Sequence, residues 1–238
     1  MPPRIGKGLG DLSDSTLRFY AQVGVEEVAL PDAFTTEPRA SRPHVPPAQM
    51  RPPAPTVRRW DGRELERMRR RTEEFGLRAS AKAFGLSKAI LLGGDEAERD
   101  LEAVAANVRT AGEAGLTVLT YSFTGLRASE GYFALNGAGR GGTHLRGFDF
   151  ARVRDLPPLE AVGQHSRAAM WERLESFLRA IVPVAESAGV KIAMHPNDPP
   201  VETFRGVAQP VRSLDDLRRV VQTVDSPANT LYLDTGVL

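Results

Sequence analysis

Four times in this chain a single glycine stands between a helical pattern and a short run suited to a strand: Gly24 before Val25–Leu30, Gly76 before Leu77–Ala83, Gly115 before Leu116–Phe123, and Gly189 before Val190–Met194. Glycine in that place ends a helix in the left-handed conformation, and strands alternating with helices in this way pair in parallel through crossover connections. A weaker run at Arg4–Leu9 precedes the series and another at Thr230–Leu233 follows it, so six strands are expected. A closed barrel of eight such units takes roughly 250 residues. The 238 residues therefore read as one domain, a (β/α)8 TIM barrel truncated after about six strand-helix units, with two open sheet edges.

The intervening helices announce themselves by capping and spacing. Asp14 or Ser15 is expected to cap the first, Asp61 caps Gly62–Phe75, and Asp95–Ala114 carries Leu101, Val104, Ala105 and Val108 at helical spacing. Ser166–Ala188 aligns Trp171, Leu174, Phe177, Leu178 and Ile181 on one stripe; Pro183 within it predicts a kink or a break. A last helix is expected over Ser213–Val224. Two stretches fall outside this rhythm. Residues 31–60, rich in proline and arginine, read as a long loop on the catalytic side of the barrel or as a surface insertion without function. Residues 124–164 read as a glycine-rich loop insertion.

Composition narrows the chemistry. No apolar run approaches the ~20 residues that cross a bilayer, and the amino terminus lacks a secretory core, so a cytoplasmic protein is expected. With 31 basic and 30 acidic residues interspersed, nothing draws the chain to nucleic acid or a membrane. The absence of cysteine leaves oxygen and imidazole groups as metal ligands, which favours Mn, Mg, Fe or Co.

In a barrel, functional side chains project from the carboxyl ends of the strands. His195 ends the fifth run and Asp234 the sixth, so the two can converge on one divalent ion. The plain alternative is a hydrogen-bonded histidine and a turn-forming aspartate before Gly236. Asn197 and Asp198 follow His195 and are expected at the substrate, as is Arg127 after the fourth run. Gly137, Gly139 and Gly142 match G-x-G-x-x-G, but no strand directly precedes and no helix directly follows, which rejects a dinucleotide site. The segment reads instead as a lid whose Arg140, His144 or Arg146 meets a substrate carboxylate, or as a plain surface loop. Tyr121 and His144 are the candidates for a general base. His44 and His165 carry little weight.

The stretch from Gly189 through Met194-His195-Pro196-Asn197-Asp198-Pro199-Pro200, then Asp225-Ser226-Pro227-Ala228-Asn229, resembles the signature segments of the mannonate dehydratases, a family of the xylose-isomerase-like barrels. Trp60, Gly76-Leu77, Ile90–Gly94 and Tyr121-Ser122-Phe123 are similar to that family's order of features. The resemblance implies a divalent ion, usually manganese, on His195, with Asp234 where the family usually has cysteine. It places the remaining ligands beyond Leu238. Asn197 stands for a usual aspartate, and Ser122 and Thr124 for the family's Asn and Met. The activity implied is loss of water from a sugar acid such as D-mannonate to give 2-keto-3-deoxy-D-gluconate. The alternatives are a sugar isomerase or epimerase, which Asp234-Thr235 resembles, and a truncated non-catalytic barrel that binds a sugar or a partner. A small-molecule sugar acid is the expected partner, and a homo-oligomer is compatible with the open edges.

Overall fold

A computed structural model describes residues 4–39, 50, 51, 53–128 and 130–237. In chain order the elements are β1 (Gly6–Gly8), α1 (Asp14–Gln22), β2 (Glu27–Leu30), β3 (Met50–Arg51), α2 (Gly62–Glu73), β4 (Arg78–Ala83), α3 (Lys88–Leu92), α4 (Ala97–Glu113) and β5 (Val118–Ser122). They continue with β6 (Arg127–Ala128), β7 (Tyr132–Leu135), β8 (Leu145–Phe148), α5 (Arg167–Ser187), β9 (Lys191–His195), β10 (Thr203–Phe204), β11 (Val207–Ala208), α6 (Leu214–Thr223) and β12 (Asn229–Leu231). The central sheet runs β1-β2-β4-β5-β9-β12 and every pairing in it is parallel, with β1 and β12 as its edges.

The order of this sheet is the sequence order, as right-handed crossovers between neighbours require. Glycines Gly24, Gly76, Gly115 and Gly189 all take positive φ at the helix-to-strand junctions. Along β5 burial alternates: Leu119 and Tyr121 are buried, whereas Val118, Thr120 and Ser122 are half-buried. Tyr121 packs its ring 5.1 Å from Phe177 of α5, so that side of the strand faces the helix layer. Ser122, on the opposite side, lies in register with His195 at the carboxyl end of β9.

Three local expectations change. The cap of α1 is Ser13, whose hydroxyl accepts from the Thr16 amide at 3.3 Å; neither Asp14 nor Ser15 takes that place. Pro183 does not break α5, which continues to Ser187. Its ring side is exposed, while Ile181, Val182 and Ala185 are buried around it, so packing on both sides carries the helix across the missing amide. Residues 124–164 hold more than a loop. β7 and β8 form an antiparallel hairpin with Tyr132 opposite Phe148, and the glycines cluster at its far end. The four-residue strands and glycine-rich tip hide the period-2 pattern from the sequence.

The helix layer closes tightly at α4 and α5. A Cβ built on Gly112 would lie 2.4 Å from the Ala188 carbonyl oxygen, so only glycine lets the two helices approach there. No described helix is long and apolar enough to cross a membrane.

Candidate metal and substrate site

The carboxyl ends of β9 and β12 bring His195 and Asp234 together, with His195 Nε2 3.1 Å from Asp234 Oδ2. Each group is held from behind. His195 Nδ1 lies 2.7 Å from the Pro196 carbonyl oxygen, which can only accept, so Nδ1 carries a proton. Asp234 Oδ1 accepts from the Gly236 amide at 2.8 Å. The other ring nitrogen, Nε2, then faces a carboxylate oxygen. Such a contact asks for a positive charge between the two atoms, either a proton or a metal cation.

Two ligands of one hard ion at about 2.0 to 2.2 Å and near right angles stand about 3 Å apart, which is the observed separation. The donor set, imidazole nitrogen and carboxylate oxygen, suits Mn, Mg, Fe or Co. Backbone groups orient both side chains, as the outer shell of a metal site does. Among the described residues no third His, Asp or Glu joins them in a metal-binding group. Tyr232, which the sequence did not single out, packs its ring, tilted by 34°, 5.1 Å from His195; its place two residues before Asp234 was the available signal. A separate groove of about 450 Å³, lined by Phe34, Arg63, Arg67 and Arg70 among others, lies along α2 and includes none of these residues.

Other expected site residues are placed differently. Tyr121 is buried on the helix side, and burial pushes its hydroxyl well above the ordinary phenol value. A phenol buried between Phe84 and Phe177 is held in its protonated form, which speaks against the expected role of base. Asn197 is wholly buried: its Nδ2 donates to the Phe123 carbonyl at 3.1 Å and to Thr124 Oγ1 at 2.9 Å, and its Oδ1 accepts from Val211 N at 2.7 Å. Its buried amide fastens the post-β9 loop to the residues that follow β5. Asp198 is likewise engaged, accepting from the Tyr132 hydroxyl at 2.7 Å and from Arg146 Nη2 at 2.8 Å.

Arg140 and His144 stand on the exposed end of the hairpin. Arg127 lies on β6 paired with Arg51, but its side chain, like all of His44, falls outside the described residues. His165 is structural: its Nε2 is 2.9 Å from the Val162 carbonyl oxygen and its Nδ1 faces Arg173 at 3.3 Å.

Residues 136–238 match the family model described as D-mannonate dehydratase (UxuA). Mannonate dehydratase of Enterococcus faecalis is 25% identical over 209 residues, 75% of this chain and 58% of that protein. That of Lactococcus lactis subsp. cremoris is 37% identical over 100 residues, 42% of this chain and 28% of that protein. Among solved structures, mannonate dehydratase from Streptococcus suis serotype 2 superposes with a TM-score of 0.74 at 21% identity, covering 97% of this chain and 64% of that one. D-psicose 3-epimerase from Clostridium cellulolyticum H10 gives 0.54 at 9% identity, covering 95% and 61%, a likeness of fold alone. The chain thus spans about 58% of the length of its relative in E. faecalis. The resemblance read from the sequence holds: the chain is similar to the mannonate dehydratases and shares the TIM-barrel type of fold of the S. suis enzyme.

Proposed function

We propose that this chain carries the strand-end half of a metal-dependent dehydratase that removes water from a sugar acid such as D-mannonate, giving 2-keto-3-deoxy-D-gluconate. The observation that carries the reading is the convergence of His195 Nε2 and Asp234 Oδ2, each held from behind by backbone. His195 and Asp234 would hold a divalent ion, most simply manganese. When bound, such an ion supplies positive charge that stabilises an enolate and activates a hydroxyl leaving group.

The reaction removes the proton beside the carboxylate and expels the neighbouring hydroxyl as water; the resulting enol becomes the 2-keto product. An arginine that holds the acid group and a base that accepts the proton are both required. The hairpin supplies candidates for these roles: Arg140 for the carboxylate and His144 for the proton, an imidazole being the side chain suited to proton transfer near neutral pH. Arg127 is a further candidate for the carboxylate. The reading places the enzyme in the cytoplasm, with a sugar acid as its partner.

The test is incubation of the purified protein with D-mannonate and Mn²⁺, beside His195→Ala. The reading expects a 2-keto-3-deoxy acid from the native chain and none from the variant. Absence of product with normal Mn²⁺ binding removes the dehydratase, and product that survives His195→Ala removes the site.

A further inference from the structure

β9 ends at His195, and three residues on, the segment after it carries a carboxylate that belongs to a different network. Each oxygen of Asp198 accepts from the β7–β8 hairpin: Oδ1 from the Tyr132 hydroxyl at 2.7 Å and Oδ2 from Arg146 at 2.8 Å. The arrangement is closed, because the Arg146 guanidinium also sits 4.7 Å from the centre of the Tyr132 ring, and Tyr132 in turn packs 4.9 Å from Phe148 across the hairpin. Tyr132 and Arg146 lie diagonally on one face of the two strands, so one carboxylate grips both. A second side chain of the same segment holds the hairpin's foot. Arg205, in a left-handed turn between β10 and β11 with φ 50°, donates to Glu130 at 3.0 Å and to the Pro157 carbonyl at 2.7 Å.

We infer that Asp198 is a positioning residue, which fixes the hairpin against the segment that presents His195 and so sets how a sugar acid fits beneath Arg140 and His144. The inference rests on the proposed site for its substrate but not for its mechanics. Asp198 acts here through the hairpin, to which each of its oxygens is bonded. Removing one of these charge-assisted hydrogen bonds shifts the local opening of the hairpin by about tenfold, while Arg205 keeps its foot attached.

Hydrogen exchange of the full chain, read peptide by peptide, tests the mechanics in Tyr132→Phe and Asp198→Ala. Amides within 133–147 are expected to exchange about tenfold faster in Tyr132→Phe and faster still in Asp198→Ala, with β9 and α5 unchanged. Unchanged exchange in the hairpin, or an equal rise in β9, overturns the inference. Calorimetric titration then reads function: Mn²⁺ affinity is expected to stay as in the native chain while D-mannonate binds several-fold more weakly. Faster exchange with unaltered mannonate affinity overturns the link to substrate. Native protein that does not bind mannonate at all counts against the dehydratase reading, and the exchange result still decides whether Asp198 holds the hairpin.

Discussion

The Tyr121 hydroxyl is buried beside Phe84 and Phe177 and finds no hydrogen-bond partner among the described residues. Burying a hydroxyl without a partner costs stability, so Tyr121→Phe is expected to leave the urea midpoint unchanged or to raise stability by about 1 kcal/mol, with activity retained. Loss of activity in this variant alone would restore the tyrosine as a base. Asn197 is the opposite case, since every polar atom of its side chain is paired. Asn197→Ala is expected to cost about 2 to 4 kcal/mol in urea unfolding, and a cost below half of that would contradict its role as a clamp.

Asp11 gives the acid response a residue-level cause. Burial raises its pKa, but hydrogen bonds from the Ser13 hydroxyl and from the Arg39 and Ser13 amides outweigh this and bring it from 3.8 to about 2. A depressed carboxylate stabilises the fold above its unfolded pKa, and that contribution, about 2 kcal/mol, is lost as pH falls from about 4 to 2. Asp11→Asn is expected to be less stable at neutral pH and to lose less between pH 4 and 2; a parallel decline in both proteins would contradict the assignment. The strand-end residues His195 and Asp234 were legible because barrel topology alone assigns them a place. Tyr121 and Asn197 were not, because which side of a strand faces the helices depends on packing that a polar residue type does not reveal.

At the scale of elements, the glycine punctuation and apolar spacing carried most of the fold. All six sheet strands were found within a few residues of their observed bounds. The short α3 and the β7–β8 hairpin were missed, since five helical residues and two four-residue strands hold too little periodicity to stand out. Helix packing sets two expectations. Gly112→Ala is expected to destabilise by about 1 to 3 kcal/mol, because its methyl meets the Ala188 carbonyl rather than a flexible side chain. Pro183→Ala restores a backbone donor at an exposed position of a continuous helix and is expected to raise the melting temperature. A lower melting temperature would mean that the proline shapes α5 for its packing.

Across the whole molecule, the sheet leaves β1 and β12 as edges, and exposed apolar side chains gather near them: Ile5, Tyr232 and Leu233 are 58%, 46% and 65% exposed. Unpaired edges of this kind promote association, so the chain is expected to sediment as concentration-dependent oligomers. A single monomeric species over the whole concentration range would contradict this. The fold class and the resemblance were both legible, because each is spread along the chain. At the strand ends the sequence offered His195 and Asp234 as a pair, and the structure brings these two side chains to 3.1 Å.

The most direct test of the central claim is an electron paramagnetic resonance titration of the native chain and Asp234→Asn with Mn²⁺. The account predicts bound Mn²⁺ in the native chain and affinity weakened by at least about tenfold in the variant, whose amide oxygen is a poorer ligand. Equal affinity in the two, or no binding to the native chain, would contradict a metal site on His195 and Asp234.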